Sequence, residues 1–96
     1  MVIRWSKIAE LQLRKIYNYI KEDSPANAVK VVTGLIELSE SLAIYPGRFP
    51  ADKYKINNDG TYRAVELYHY RLSYRIMEKE IVILRLRHTA MSPRIY

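Results

Sequence analysis

The sequence contains no cysteine and, among its 96 residues, only three glycines. The absence of cysteine excludes a disulfide framework, a thiolate zinc site and a cysteine nucleophile. Three scattered glycines cannot form a glycine-rich phosphate loop, and no serine lies in a nucleophile elbow. The two histidines, His69 and His88, are too far apart for metal-ligand spacing, so we expect neither a metal nor a cofactor.

Long hydrophobic runs are also absent, since no stretch reaches the roughly 20 apolar residues of a membrane span. Arg4 and Lys7 interrupt the only N-terminal segment that could resemble a secretion signal. We therefore expect a cytoplasmic protein that does not associate with membranes. A length of 96 residues with 49% hydrophobic side chains predicts one domain spanning residues 1–96.

Positive charge is the first feature that is plentiful, with a formal net charge of +6. A surplus of this size in a small protein favours an anionic partner, either nucleic acid or an acidic protein. The charge alone is equally compatible with a soluble basic protein that has no anionic partner. Nine tyrosines accompany a single phenylalanine; tyrosine can stack on bases, but its preference for strands explains the excess equally well.

Two helices are predicted in the first half of the chain. Ser6 is a suitable N-cap for the first, which should end near Asp23. Ser24 and Pro25 begin the second, because proline fits the first helical position, and Pro46–Gly47 should end it. Helical spacing relates two apolar sets, one in each helix: Ala9, Leu13, Ile16 and Ile20, then Ala28, Val31, Leu35, Leu38 and Leu42. We expect Gly34 to allow close contact between the two helices.

The rest of the chain has the alternating pattern of strands. We predict an α+β fold in which an N-terminal strand and a two-helix hairpin pack on an antiparallel sheet. Asn57–Gly60 and Glu78–Glu80 are predicted turns. The predicted strands are Val2–Trp5, Tyr54–Ile56, Thr61–Leu67, Tyr70–Met77 and Ile81–Arg87.

Alternation within the last two strands separates apolar residues from arginines. The set that should face the helices is Tyr70, Leu72, Tyr74 and Ile76 with Val82, Leu84 and Leu86. A three-residue turn then pairs Met77 with Ile81, Leu72 with Leu86, and Arg71 with Arg87. Opposed like charges destabilise a sheet, so the arginine pair indicates either a functional face or two side chains that splay into water.

The arginine-rich face is the candidate functional site. Arginines bind phosphates, and a histidine can transfer a proton, so metal-free RNA cleavage is chemically possible there. Strict alternation nevertheless turns His88 inward beside Leu86, and Tyr96 has the default interpretation of a frayed end. Arg71 on an open face should tolerate replacement by alanine. The candidate residues are Arg63, Arg71, Arg85, Arg87, His88 and Tyr96.

The sequence resembles the RelE/ParE superfamily, the toxins of bacterial type II toxin–antitoxin systems that are often named plasmid stabilization proteins. The resemblance covers nearly the whole chain and depends on the order and spacing of individually weak marks. These marks are Trp5, Ala9, Leu13 to Ile20, Ser24–Pro25, Ala28, Leu42, Pro46–Gly47, Tyr62–Arg63, Tyr70 to Ile76 and Ile83 to His88. It implies a helical hairpin packed on an antiparallel sheet, as predicted above.

The resemblance implies two possible activities. RelE-like members cleave messenger RNA on the ribosome, whereas ParE-like members inhibit DNA gyrase without catalysis. In a nuclease, the catalytic residues would be Arg63, Arg71, Arg87 and His88. Val65 stands where nucleases often have a second lysine, and the segment from Arg87 to Ala90 replaces their Gly-Lys-Arg-Glu-like stretch. The sequence is therefore closer to ParE-like members. A third possibility is a degenerate member that only binds its antitoxin and operator.

The resemblance also implies the partners. We expect a cognate acidic antitoxin to neutralise this protein, and either DNA gyrase or the ribosome with its message to be the target. Operator DNA would be bound only through the antitoxin.

Overall fold

The structure is a computed structural model that describes residues 1–96. Two helices and four strands account for most of the chain, and the strands form one sheet in the order β1-β4-β3-β2. No helix is both long enough and apolar enough to cross a membrane. The elements are β1 (Val2–Trp5), α1 (Lys7–Lys21), α2 (Pro25–Ser41), a 3-10 helix (Pro46–Arg48), β2 (Tyr62–Leu67), β3 (Tyr70–Ile76) and β4 (Glu80–His88).

Both helices begin where the sequence predicts. The Ser6 hydroxyl accepts a hydrogen bond from the Ala9 N–H at 3.0 Å, and the Ser24 hydroxyl accepts one from the Asn27 N–H at 3.1 Å. Each hydroxyl satisfies a backbone donor that has no partner within the first turn. The second helix ends at Ser41 rather than at Pro46–Gly47, because the following N–H groups bond three residues back and tighten the chain into a turn.

The α+β fold class is confirmed, with one refinement and one error in the strands. Strands β2, β3 and β4 are antiparallel, but β1 pairs with β4 in parallel, so the sheet is mixed. The predicted strand Tyr54–Ile56 is wrong, because this segment is a turn. The Asp52 carboxylate accepts the Tyr54 N–H at 3.0 Å, which holds that turn instead of a ladder.

The predicted register is half right. Leu72 lies opposite Leu86, and Arg71 lies opposite Arg87, as expected. The pairing of Met77 with Ile81 is wrong, since Ile76 occupies that place and the Met77 N–H donates to the Glu80 carbonyl at 2.8 Å.

The cause is a β-bulge in β4. Ser73 pairs with Arg85 while Tyr74 pairs with Ile83, which leaves Leu84 as an extra residue. An extra residue reverses the alternation on one side of it. Ile81 and Ile83 therefore face the helices and belong to the core, while Val82 lies on the other face. The prediction that Val82 and Leu84 face the helices is wrong for this reason.

The core lies between the hairpin and one face of the sheet. Burying these side chains removes apolar surface from water, which is the main stabilising contribution in a small domain. The cluster of buried residues is Ala9, Ile16, Val31, Leu35, Leu42, Tyr70, Leu72, Tyr74, Ile81, Ile83 and Leu86.

Gly34 has a different role from the one predicted. A Cβ at this position would lie 2.6 Å from a ring carbon of Tyr68 and 3.5 Å from Leu67, not against the other helix. Tyr68 and His69 form the β2–β3 turn with positive φ angles of 52° and 67°. Glycine thus makes room for the hairpin turn over α2.

Candidate functional site

The face of the sheet that the helices leave open is covered in part by the chain's last residues. The Tyr96 N–H donates to the Tyr54 carbonyl at 3.1 Å, and the Tyr96 carbonyl accepts the Ile56 N–H at 2.6 Å. Arg87 Nε donates to the Ser92 carbonyl at 2.8 Å. The prediction that Tyr96 is frayed is therefore wrong, because backbone and side-chain bonds hold it against the sheet.

Asp52 lies at the centre of this face, with a fully buried side chain. Arg71 Nη2 donates to Oδ1 at 2.7 Å, and the Tyr96 hydroxyl donates to Oδ2 at 2.7 Å. Only 18% of the Arg71 side chain is exposed. Arg71 is thus part of a buried ion pair, whereas the sequence predicted a side chain on an open face that alanine could replace without unfolding the protein.

The network fixes the charge of both acidic groups. Burial alone would raise the pKa of Asp52, but the hydrogen bonds from Tyr96 and Arg71 outweigh it and hold that pKa below its usual value. For Tyr96, burial and the bond to Asp52 together raise the pKa well above the usual tyrosine value. Asp52 is therefore ionised at neutral pH, and Tyr96 stays a neutral donor.

Cations and tyrosine rings alternate across the open face. The Arg75 guanidinium lies 4.6 Å from the Tyr62 ring centre, and the Arg85 guanidinium lies 4.1 Å from that of Tyr96. The two rings meet edge to face at 5.9 Å, and Lys55 lies 4.7 Å from the Tyr62 ring. Attraction between a cation and a ring face stabilises such contacts, so these tyrosines order the arginines.

Arg63 does not belong to this face. It pairs with Tyr74 in the ladder, and residues paired directly across a sheet point to the same side, so Arg63 lies on the side of the core. Its guanidinium donates to the carbonyls of Phe49 at 2.7 Å and Gly47 at 3.3 Å, and its Nε to Gly60 at 3.1 Å. The predicted place of Arg63 beside the other arginines is wrong; it anchors the loop after α2.

The other three predicted catalytic residues do come together. Arg71, Arg87 and His88 line one cavity of about 50 Å³. His88 Nδ1 accepts the Ala90 N–H at 3.0 Å, and its ring contacts Tyr70 edge to face at 5.1 Å. This contact agrees with the inward orientation expected from alternation. An Nδ1 acceptor leaves the ring hydrogen on Nε2, so in this geometry the His88 ring offers one hydrogen-bond donor, Nε2–H, and no free nitrogen acceptor.

Two residues of this face were not predicted. Asp52 supplies its only buried carboxylate, and Arg94 joins Arg85 and Arg87 in lining two neighbouring cavities. The one feature of the sequence that could have drawn attention to Asp52 is that it is the single acidic residue between Arg48 and Lys53. No group of three histidine, cysteine or acidic side chains lies close enough to hold a metal ion.

The outer side of the hairpin carries a separate apolar groove. Its volume is about 530 Å³, and it is open to solvent between α1 and α2. Trp5, the last residue of β1, lines it together with residues of both helices. The other lining residues are Glu10, Leu13, Arg14, Tyr17, Val32 and Ile36.

Comparison with known proteins places this architecture among bacterial toxins. A family model described as the ParE toxin of the type II toxin–antitoxin system, parDE, matches residues 3–93. A chain from the chromosomal ParDE toxin–antitoxin system of P. aeruginosa is similar, with 24% identity, a TM-score of 0.71, and coverage of 92% of this chain and 95% of that one. A chain from the toxin–antitoxin complex RelBE2 of Mycobacterium tuberculosis has 22% identity, a TM-score of 0.63, and coverage of 94% and 92%. A sequence comparison with curated proteins gave no match.

The two solved structures share the fold of this chain, and the family model extends over nearly all of its sequence. The resemblance to the RelE/ParE superfamily is confirmed. This chain belongs to the ParE toxin family of type II toxin–antitoxin systems.

Proposed function

We propose that this toxin acts in the cytoplasm by binding and inhibiting DNA gyrase, without catalysing a reaction, and that a cognate acidic antitoxin neutralises it. The observation that carries the non-catalytic assignment is that two of the three candidate catalytic arginines are engaged within the protein itself. Arg71 is bonded to the buried Asp52, and Arg63 to loop carbonyls on the opposite side of the sheet. A guanidinium that is already bonded has fewer donors left for a developing charge.

The charge and the surface shape of the protein support the proposal that it binds an acidic antitoxin. The net charge of +6 favours an acidic partner, and the groove between α1 and α2 offers apolar surface on the hairpin. Both similar solved structures come from toxin–antitoxin systems. Operator DNA would be contacted through that antitoxin.

Purified gyrase provides the direct test of the target. We expect the toxin to inhibit supercoiling of a relaxed plasmid, and expect equimolar antitoxin, encoded by an adjacent reading frame, to restore it. Brief induction in cells should produce double-strand breaks and filamentation. Normal supercoiling at micromolar toxin, with transcripts cut in phase with codons, would overturn the gyrase assignment.

A RelE-like, metal-free messenger RNA endonuclease is the second candidate. The observation that favours it is the cavity shared by Arg71, Arg87 and His88. In that case Arg87 would contact the scissile phosphate and His88 would assist proton transfer. A defined message bound to programmed ribosomes should then be cleaved even in the presence of a chelator.

The variant Arg87→Gln separates the two candidates. Loss of one charge-stabilising donor should lower cleavage by roughly two to three powers of ten. Loss of one interface contact should instead weaken gyrase binding by about 1–3 kcal/mol. Arg48→Gln is the matched control, because Arg48 is exposed on the 3-10 helix.

A further inference from the structure

Three arginines without carboxylate partners meet at the exposed edge of β4. Strand β1 pairs with β4 only as far as Ile83, so the following residues have no neighbouring strand on that side. The pocket beside them has a volume of about 120 Å³. Its lining is Ile8, Gln12, Leu84, Arg85, Leu86, Arg87 and Arg94, with no acidic residue among them.

The unpaired charge is the unusual property of this pocket. The only ion pairs in the protein join Arg4 to Glu80 and Arg71 to Asp52 and Glu66. Arg85, Arg87 and Arg94 also line the smaller neighbouring cavity that contains Asp52. The single negative charge of Asp52 is paired with Arg71 at 2.7 Å, and the other three arginines form no ion pair with it.

Each of the three arginines is positioned yet keeps free donors. Arg85 is held by the Tyr96 ring at 4.1 Å. Arg87 uses its Nε for the Ser92 carbonyl, which leaves both terminal NH2 groups available. Arg94 makes no side-chain hydrogen bond. Like charges brought together in this way repel one another, and a bound anion relieves that repulsion.

Two backbone groups at this edge are already bonded by side chains of the helical layer, which restricts what can bind. The Ser6 hydroxyl donates to the Leu84 carbonyl at 2.8 Å, and Gln12 Oε1 accepts the Leu86 N–H at 2.7 Å. An added strand would therefore have to displace both side chains. The amide NH2 of Gln12 remains free as a further donor beside the arginines.

The geometry points to a phosphoryl-binding site formed by Arg85, Arg87 and Arg94. Planar guanidinium groups match the oxygens of a phosphate bidentately, and a multiply charged tetrahedral anion can engage several at once. The source of the phosphoryl group is either a nucleic-acid backbone or a small phosphate compound. This site does not depend on gyrase being the target, and its test does not read gyrase activity.

The test follows the arginine side chains of the purified full chain by NMR of the Nε–H groups. We expect inorganic phosphate, pyrophosphate or a short single-stranded oligonucleotide to shift the Arg85 and Arg94 signals, and expect high salt to weaken the effect. Stronger binding of the oligonucleotide would support a nucleic-acid backbone as the source, and stronger binding of pyrophosphate would support a small phosphate compound.

Two variants and a control complete the test. Arg94→Gln and Arg85→Gln should each weaken binding of the tighter ligand about tenfold, equivalent to about 1.4 kcal/mol. Arg48→Gln removes the same charge from a residue that lines none of these cavities, and should bind like the wild type. No signal shift at millimolar phosphate, an equal loss in Arg48→Gln, or equally tight binding of an acidic peptide would overturn the phosphoryl site.

Discussion

The helix-covered face and the open face of the sheet are formed by the same strands but depend on different forces. Towards the helices, Leu72 and Tyr74 are fully buried against apolar side chains such as Leu35. On the other face, Arg71 is bonded to the buried Asp52. Apolar packing is non-directional, whereas a buried ion pair requires both partners in place. The first face therefore determines whether the chain folds, and the second holds charged groups in fixed positions.

The largest expected effect comes from placing a charge on the apolar face. Leu35→Asp should lower the free energy of unfolding by at least about 4 kcal/mol, because the side chain is fully buried and the carboxylate has no partner. Urea titration followed by circular dichroism measures this. Val29→Asp, at a position of the same helix that is 54% exposed, should change stability by less than about 0.5 kcal/mol. A free energy of unfolding for Leu35→Asp that falls no further than that of Val29→Asp would contradict the burial of this face.

On the open face, Arg71→Ala should cost about 3 kcal/mol, since it leaves the Asp52 carboxylate buried without its cation. Urea titration again gives the value. Arg4→Ala breaks the solvent-exposed pair with Glu80 and should have little measurable effect. Equal stability of the two variants would mean that Asp52 and Arg71 contribute no more than a surface pair does.

Lowering the pH should reduce stability through the open face, where the buried carboxylate of Asp52 lies. Because the folded-state pKa of Asp52 is depressed, its stabilising contribution is complete above the unfolded value of about 3.8 and is lost as pH falls through that value towards the folded one. Asp52→Asn should therefore flatten the decline of the melting temperature below pH 4 in thermal melts.

Glu80→Gln is the control for this experiment. The pKa of Glu80 is also lowered, mainly by its hydrogen bond from Arg4, but that pair is solvent-exposed and screened by salt. At high salt the wild type and Glu80→Gln should decline alike, while Asp52→Asn still differs. Identical acid profiles for all three proteins would exclude Asp52 as a source of the pH dependence.

The smallest expected effect tests the contact between α2 and the β2–β3 turn. Gly34→Ala should change stability little. Alanine gains about 1 kcal/mol in helix propensity, but its Cβ would lie 2.6 Å from a carbon of the Tyr68 ring. The ring must move to relieve this clash, which offsets the gain. In a Tyr68→Ala background the same substitution should stabilise by about 1 kcal/mol. A double-mutant cycle with chemical denaturation measures the coupling, and additive effects would show that the ring moves aside freely.

The sequence predicts the elements of this fold well because their signals are local. Ser6 and Ser24 define helix starts through hydrogen bonds to residues three positions away. The same reliance on local pattern explains the wrong strand at Tyr54–Ile56. Its pattern of residue types is that of a strand, but the Asp52 carboxylate accepts the Tyr54 N–H and holds a turn instead. The register near Arg71 and Arg87 was predictable, but the bulge at Leu84 was not. Four consecutive apolar residues, from Ile81 to Leu84, satisfy either alternation.

By itself, the sequence determined that this chain forms a helical hairpin on a sheet with an arginine-rich face, because capping residues and hydrophobic periodicity act over short distances. Only the tertiary structure decided which charged residues share that face. It placed Arg63 on the side of the core, buried Asp52 beneath Arg71 and Tyr96, and brought Arg94 to Arg85 and Arg87. These contacts join residues far apart in the chain, and their electrostatic energies depend on burial and distance, which exist only after folding.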